Sequence, residues 1–425
     1  MKTIVLDDDP TGTQSASGVR VLLEHGAELL EAALHEASAV YVQTNSRALD
    51  EAAAVALVAR IREEGMTAAA RLGEPVRFVL RGDSTLRGHV FAETEVLLDA
   101  EPGAIMLFVP AFPDGGRTTR DGIHLVRQGG REVPAGETEY ARDPVFPFRA
   151  SRLADYVREK SARPPVPVAI GEVRGGRLAG ALLDAAPGSV VVPDAEDDDD
   201  IRRIAQAVRE AEAAGAAIVV RSASPLAAEL AGVASDGHLV LGPEDRPARV
   251  LLVCGSHTGG ATAQLARLEP SLGPPLAVRT AAALRDPAAA GAEVVEPALE
   301  RVRAGGVAIV ASERARAAEH GTLDHGERVM RALTGAVAGI LPHVDAVVAK
   351  GGITSAEVAR AGMGARDARV LGQILPGISA WRMRVRDGRE MLYIVVPGNV
   401  GEEDALERVL AALGLGPGLR FSSPS

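Results

Sequence analysis

Val76-Arg77-Phe78-Val79-Leu80-Arg81-Gly82-Asp83-Ser84-Thr85-Leu86-Arg87-Gly88-His89 is the stretch whose reading decides the fold. Its first five residues are mostly apolar, with β-branched and aromatic members, and read as a short buried strand. Helical spacing of apolar residues resumes at Val90, Phe91, Val96, Leu97 and Leu98. Between them a carboxylate, two guanidinium groups, two hydroxyls and two glycines crowd into residues 81–88. In an open α/β sheet, ligands sit in the crevice beyond the carboxyl ends of the strands. Arg81 and Arg87 can each grip a carboxylate or phosphate through a planar fork. Asp83 can accept hydrogen bonds from sugar hydroxyls or take a proton from one. Taken alone, the cluster reads better as a solvated turn with its charges paired to each other. Its company in the chain changes that balance.

Upstream, Thr3-Ile4-Val5-Leu6 reads as a buried strand that ends in Asp7-Asp8-Asp9-Pro10-Thr11-Gly12-Thr13. Three adjacent carboxylates repel one another, so a ligand, a metal or arginine partners must offset them. The plainer alternative is a helix N-terminus, where acidic residues are welcome. Residues 28–37 read as a helix, and Ala39-Val40-Tyr41-Val42 as a strand that runs into Gln43-Thr44-Asn45-Ser46-Arg47. An alanine-rich helix spans 49–71. Downstream, Ala104–Val109 reads as a strand before Pro110-Ala111-Phe112-Pro113-Asp114-Gly115-Gly116-Arg117. Four successive strands thus deliver polar, glycine- or arginine-bearing loops. Strands alternating with helices imply a parallel sheet, which puts those loops at one edge. Residues 120–150 read as irregular, either an excursion toward substrate or a plain surface loop. Asp197–Asp200 read as a helix N-terminus and are assigned no chemistry. Residues 217–222 read as a further strand and turn.

Gly242-Pro243-Glu244-Asp245-Arg246-Pro247 has the polarity and prolines of a linker, and the pattern restarts after it. Val250–Cys254 leads into Gly255-Ser256-His257-Thr258-Gly259-Gly260 and a helix over 261–268. Ala346–Ala349 leads into Lys350-Gly351-Gly352-Ile353-Thr354-Ser355 and a helix over 356–361. Leu392–Val396 leads into Pro397-Gly398-Asn399-Val400-Gly401 and a terminal helix over 403–413. A glycine turn between strand and helix offers free N–H groups to an anion, and three in one domain favour a phosphate or nucleotide site. Gly305 and Gly306 precede their strand, Val307–Val310, and make a plain turn. There is no Walker sequence, and no G-x-G-x-x-G follows the first strand. The expected architecture is α/β in two domains, each a mostly parallel sheet flanked by helices, with a substrate cleft between them. Their expected bounds are 1–241 and 250–425, joined by a linker over 242–249.

With 425 residues the chain has room for two cores. Aromatic residues make up 3%, so those cores must be built of Ala, Val, Leu and Ile. A formal net charge of −11 argues against a nucleic-acid partner, though small anionic ligands can still be bound by local arginine clusters. The single cysteine, Cys254, cannot form an intramolecular disulfide, which suits a reducing cytosol. Neither a signal-peptide pattern nor a run long enough to span a bilayer is present. The expected location is cytoplasmic, with no membrane partner. Arginine almost replaces lysine, and of Lys2, Lys160 and Lys350 only the last falls in a loop of interest.

Taken together, these pieces resemble the four-carbon acid sugar kinase family over nearly the full length. The resemblance rests on Asp8-Asp9-Pro10-Thr11-Gly12, Thr44-Asn45-Ser46-Arg47 and Asp83-Ser84-Thr85-Leu86-Arg87-Gly88. Further matches are Pro110-Ala111-Phe112-Pro113 with Gly116-Arg117, Gly255-Ser256, Gly351-Gly352-Ile353-Thr354 and Gly398-Asn399-Val400-Gly401. It implies an N-terminal domain that binds a small sugar acid such as threonate, erythronate or an oxo-tetronate. It also implies a C-terminal domain that binds ATP, with Mg²⁺ on the phosphates, and transfer to a terminal hydroxyl. Such an enzyme is a phosphotransferase with an alcohol group as acceptor. By resemblance Asp8, Asp9, Arg47, Arg81, Gly82, Asp83, Ser84 and Arg87 meet the acid, with Asp9 or Asp83 as proton acceptor. Ser256, Gly351, Gly352, Ile353, Thr354, Gly398, Asn399 and Gly401 meet the nucleotide. Metal ligands are not assigned, and a homodimer is allowed but not legible.

This sequence departs from its relatives at Arg81-Gly82, where they often carry Lys-x, and around the first acidic loop. The residues themselves also allow a non-catalytic sensor of a sugar acid or nucleotide, because the same loops would serve it. An epimerase or aldolase using the aspartates with a metal would need histidines at ligand spacing. His25, His89, His124 and His257 are scattered and read as surface or core residues; His89 and His257 lie inside the loops of interest.

Overall fold

The computed structural model describes residues 1–235, 237–314, 323–398 and 400–415. The chain divides into two compact units, Met1–Ser235 and Asp236–Ser425. Residues 242–249, expected to be the linker, lie inside the second unit. There Leu241 is buried in the core and Asp245 pairs with Arg382 at 2.9 Å.

The first unit holds β1 (Lys2–Asp7), β2 (Arg20–Leu22), β3 (Ala39–Gln43), β4 (Val76–Arg81) and β5 (Ile105–Val109). β6 (Arg117–Arg120), β7 (Ile123–Gln128) and β8 (Arg131–Pro134) follow, then β9 (Pro165–Val168), β10 (Val190–Pro193) and β11 (Ile218–Ser222). Its main sheet runs β2-β3-β1-β4-β11-β5-β10-β9, and every pairing is parallel. Because helices cover both faces of such a sheet, its strands read as continuous apolar runs. All five residues of β3 and of β5 are buried. β6, β7 and β8 form a separate antiparallel sheet, with β7 and β8 inside the stretch expected to be irregular and β6 in the loop just before it. Its strands are short and rich in polar residues. The local signals are two two-residue turns with positive φ: Asp121-Gly122 between β6 and β7, at 51° and 73°, and Gly129-Gly130 between β7 and β8, at 55° and 75°.

The second unit holds β12 (Val250–Cys254), β13 (Leu276–Val278), β14 (Val307–Ser312) and β15 (Ala346–Lys350). These are followed by β16 (Asp367–Leu375), β17 (Ile378–Arg384) and β18 (Glu390–Val396). The order is β13-β14-β12-β15-β18-β17-β16. The first five strands are parallel, while β16 and β17 join as an antiparallel extension through β18. The helix expected over 356–361 starts earlier, at Gly352, and after Glu357 widens into a π-turn, Val358–Gly362. Among the described residues no helix is long and apolar enough to cross a membrane.

Candidate functional site

In the first unit, strand register sets the chemistry. Asp7, the last residue of β1, lies opposite Gln43 on one side and Arg81 on the other. The chain then turns into a 3₁₀ segment, Pro10–Ser15, capped by Asp9, whose Oδ1 accepts the Thr11 N–H at 2.7 Å and also the Thr11 hydroxyl. The three expected carboxylates therefore converge on one partner. Arg81 Nη1 lies 3.1 Å from an oxygen of each of Asp7, Asp8 and Asp9, and Nη2 donates to Thr11 Oγ1 at 3.2 Å. Arg81 is 2% exposed. Its guanidinium neutralises the acidic loop, where the sequence had suggested a grip on substrate.

Two further arginines of the cluster, Arg47 and Arg87, are half-buried. Arg47 pairs with Asp9 and, at 3.2 Å, with Asp83. Arg87 donates from Nε to Asp83 at 2.7 Å, reaches Asp143 at 3.6 Å and stacks over the Tyr140 ring at 5.0 Å. Burial pushes the Asp83 carboxyl up, but Arg87 and Arg47 outweigh it and hold Asp83 well below the usual carboxylate range. Asp7 goes the other way: burial, reinforced by Asp8, outweighs Arg81 and pushes it up to about 7. Five buried side-chain atoms of this cluster have no hydrogen-bond partner, namely Asp7 Oδ2, Asp8 Oδ2, Arg81 Nε, Arg221 Nη2 and Glu93 Oε1. Buried polar atoms are normally satisfied, so the cluster has capacity left for hydroxyl and carboxylate groups.

The loop after β4 is held rigidly. Leu86 sits at φ 67° in a turn closed by its N–H on Asp83 O at 3.1 Å, a conformation that costs a non-glycine residue energy. Tyr156 donates to the Leu86 carbonyl at 2.8 Å, and His124 Nε2–H donates to the Ser84 carbonyl at 2.8 Å. Burial lowers His124 to about 4, so it is a neutral donor. Gly88 has φ 112°, and a Cβ there would lie 3.3 Å from Asp8 Oδ2 and 3.7 Å from Arg221 Nη2. His89 is structural, donating to Leu49 O at 3.0 Å with its ring edge-on to Phe146.

Sequence reasoning missed Arg221 and Glu93. Arg221, on β11, pairs with Glu93 on the helix Val90–Ala100 and points Nη2 at Asp8 Oδ2, 3.8 Å away. A Cβ on Gly82 would come within 2.7 Å of that guanidinium. Glu93 lies within a helix, and the signal for Arg221 was its place with Ser222 at the carboxyl end of an apolar strand.

In the second unit three turns leave the sheet at one level, since Cys254, Lys350 and Val396 are register partners. Thr258 caps the helix Gly259–Leu272 and donates to Gly398 O at 2.9 Å, tying the first turn to the third. Gly351 has φ 116°, and a Cβ there would lie 3.1 Å from both Ser256 Cβ and Thr354 Oγ1. On Gly398 a Cβ would stand 2.9 Å from Ser256 Oγ, and on Gly255 it would overlap Thr354 Oγ1. Ser256, Gly351, Thr354 and Gly398 are thus gathered into one cradle of backbone and hydroxyl groups. Gly401 is held beside it by Gln264, which donates to Val400 O, Gly401 O and Glu402 O at 3.0–3.3 Å. Gly352 is half-buried, Ile353 is exposed, and Asn399 lies outside the described residues. His257 Nε2 meets Ser312 Oγ at 3.2 Å. Such a cradle suits phosphate oxygens. Among the described residues no group of three or more His, Cys, Asp or Glu could hold a metal ion.

Comparison with known proteins finds two family models along the chain. A family model described as a sugar-binding N-terminal domain matches residues 3–230, and one described as a nucleotide-binding C-terminal domain matches residues 251–406. A D-threonate kinase of Salmonella typhimurium is 34% identical over 266 residues, covering 60% of this chain and 58% of that protein. A 3-oxo-tetronate kinase of Methylobacterium radiotolerans is 29% identical over 429 residues, 95% of this chain and 97% of that protein. Of three curated relatives, two D-threonate kinases and one D-erythronate kinase, the chain spans 58%, 55% and 50% of the length. A solved protein of Salmonella typhimurium shares the fold, with a TM-score of 0.68, 17% identity, and coverage of 96% of this chain and 98% of that one.

Proposed function

Because the chain belongs to the four-carbon acid sugar kinase family, we propose that it is an ATP-dependent kinase acting on a terminal hydroxyl of a short sugar acid. Threonate, erythronate and an oxo-tetronate are the candidate acceptors. The observation that carries this reading is the pair of contrasting sites. One is an arginine–aspartate cluster with unsatisfied buried polar atoms; the other is a cradle of glycines and hydroxyls with no room for a Cβ.

Phosphoryl transfer depends on positioning and charge stabilisation. In this reading Arg47 and Arg87, the half-buried cations of the cluster, receive the substrate carboxylate. Arg81 and Arg221 hold Asp8 and Asp9 in place. Asp83 or Asp9 orients the acceptor hydroxyl and takes its proton as the P–O bond forms. A carboxylate is a weak base at neutral pH, but it need act only late in the transfer. Ser256, Thr354 and the backbone of Gly351, Gly352, Gly398 and Gly401 bind the nucleotide phosphates. Mg²⁺ bound to those phosphates would offset their charge; the cradle's hydroxyl and amide groups suit phosphate oxygens, and we assign the ion no protein ligand.

The test is a panel of four- and five-carbon aldonates and keto-acids with ATP, following ADP release. Turnover confined to one or a few four-carbon acids supports the proposal. Tight acid or nucleotide binding without turnover on any member would instead favour a sensor.

A further inference from the structure

Lys350 is the one buried amine of the second unit whose place the cradle chemistry leaves unexplained. It ends β15, is 0% exposed, and is followed directly by Gly351. Its Nζ donates to Pro397 O at 2.7 Å and to Val400 O at 3.2 Å, both in the turn after β18. Among the described residues no carboxylate lies within ion-pair distance of it. A buried cation with only carbonyl dipoles around it is costly.

The two carbonyl contacts also have a directional consequence. In a trans peptide the N–H of the next residue points opposite to the C=O, and the peptide bonds among the described residues are all trans. Pinning Pro397 O and Val400 O onto Nζ therefore turns the N–H groups of Gly398 and Gly401 away from the lysine. Gly398 is the residue packed against Ser256 in the cradle. Lys350 thus fixes which way these two turn donors face, and its own charge lacks a carboxylate partner among the described residues.

Resting on the nucleotide reading above, we propose that Lys350 is a positioning residue of the phosphate cradle whose charge is balanced by the bound nucleotide's phosphates, so that nucleotide binding takes up a proton from solvent. Without that anion, burial lowers Lys350 to about 8. The neutral amine keeps two N–H groups and can still hold both carbonyls, so deprotonation removes the charge and leaves the latch. A phosphate nearby favours the ammonium. Above pH 8 the free protein is therefore largely neutral at Lys350 and the complex is charged.

Other groups around Lys350 do not supply this behaviour. Its β12 neighbour Cys254 is a buried thiol, pushed up by burial, with Arg314 at 3.9 Å from Sγ. On β18, Tyr393 is pushed well above the usual phenol range by burial and donates to Ser355 O. On the helix Gly352–Glu357, Glu357 pairs with Arg360 at 2.8 Å. His257 is engaged by Ser312. Glu402 and Glu403 after the turn are exposed, and Asp404 is half-buried. The second ionisation of a phosphate ester, near pH 6, is about nine-tenths complete at pH 7 and about 99% complete by pH 8, so it cannot supply a proton effect that sets in above pH 8.

Calorimetric titration of the full chain with ADP, and with adenosine as the phosphate-free control, tests this between pH 7 and 9.5 in buffers of differing ionisation heat. The expected result is net proton uptake with ADP and an affinity that falls above pH 8 by at most about tenfold per pH unit. Adenosine should show neither, and Lys350→Met should bind ADP more weakly with no proton uptake. A purely structural lysine would instead lower the thermal stability of the free protein and leave the pH profile alone. ADP binding by the wild type without proton uptake, or a Lys350→Met profile that keeps it, overturns the inference and spares the nucleotide reading. A wild type that binds no ADP at any pH removes both. The wild-type titration decides the matter even if the variant does not fold.

Discussion

At the scale of single residues, two aspartates of one arginine-rich cluster are driven in opposite directions. Asp83 faces Arg47 and Arg87 and stays a carboxylate throughout the working pH range. A group that must accept a hydroxyl proton contributes about 10²- to 10⁴-fold to rate. Asp83→Asn is therefore expected to lower kcat by at least about 100-fold while ADP binding to the second unit stays nearly unchanged. A kcat close to wild type in steady-state assays would remove Asp83 from the proposed role. Asp7 is buried deeper and held up at about 7. Between its unfolded value near 4 and that folded value, the folded chain binds more protons than the unfolded one. Asp7 thus makes stability fall as pH rises through this window, by up to about 1.4 kcal/mol per pH unit. In Asp7→Asn that contribution is gone, so urea midpoints from pH 5 to 7 should trend more steeply upward with pH than in wild type. Parallel profiles for the two proteins would contradict the burial argument.

At the scale of elements, what could be read from the chain follows from how parallel strands are buried. β1, β3, β4, β12 and β15 are covered on both faces and announce themselves as apolar runs, and the residues just past them hold the chemistry. Asp9, Arg47, Asp83 and Arg87 were legible for that reason, and the structure brings them into one ion-paired network. Arg221 and Glu93 were not, because each sits inside a regular element and becomes part of the cluster only through packing. β6–β8 stayed hidden because a small antiparallel sheet with one polar face gives no long apolar run. Yet this sheet supplies His124, which fixes the Ser84 carbonyl. Leaving a buried carbonyl without its donor costs about 1–3 kcal/mol. His124→Ala is accordingly expected to lower the thermal midpoint and raise the KM for the acid while leaving the KM for ATP in place; equal effects on both KM values would show that the loop is not specific to one substrate. On the other unit, Gly351→Ala places a Cβ against Ser256 and Thr354 at a φ of 116°. Its expected signature is the converse: loss of ADP affinity by calorimetry with acid binding retained.

At the scale of the whole molecule, the proposed function divides anion chemistry of two kinds between two units of one chain. In that proposal the guanidinium groups and aspartates of the first unit would hold a hydroxylated acid. The backbone amides and hydroxyls at the glycine turns of the second would hold phosphates. The acidic composition, at a net charge of −11, is no obstacle, because each site is built from local groups. The strand-rich ends of both units, β9 and β10 in one and β16 and β17 in the other, carry none of these residues and extend the sheets on which the sites stand.

The most direct measurement is ADP release by the purified full chain with Mg-ATP and each member of a panel of threonate, erythronate, oxo-tetronate and five-carbon acids. ADP release is expected to depend on a four-carbon acid and to be lost in Asp83→Asn, with one phosphate transferred to the acid for each ADP formed. Equal ADP release with and without any acid, or none with every acid despite measurable ADP binding, would rule out the sugar-acid kinase.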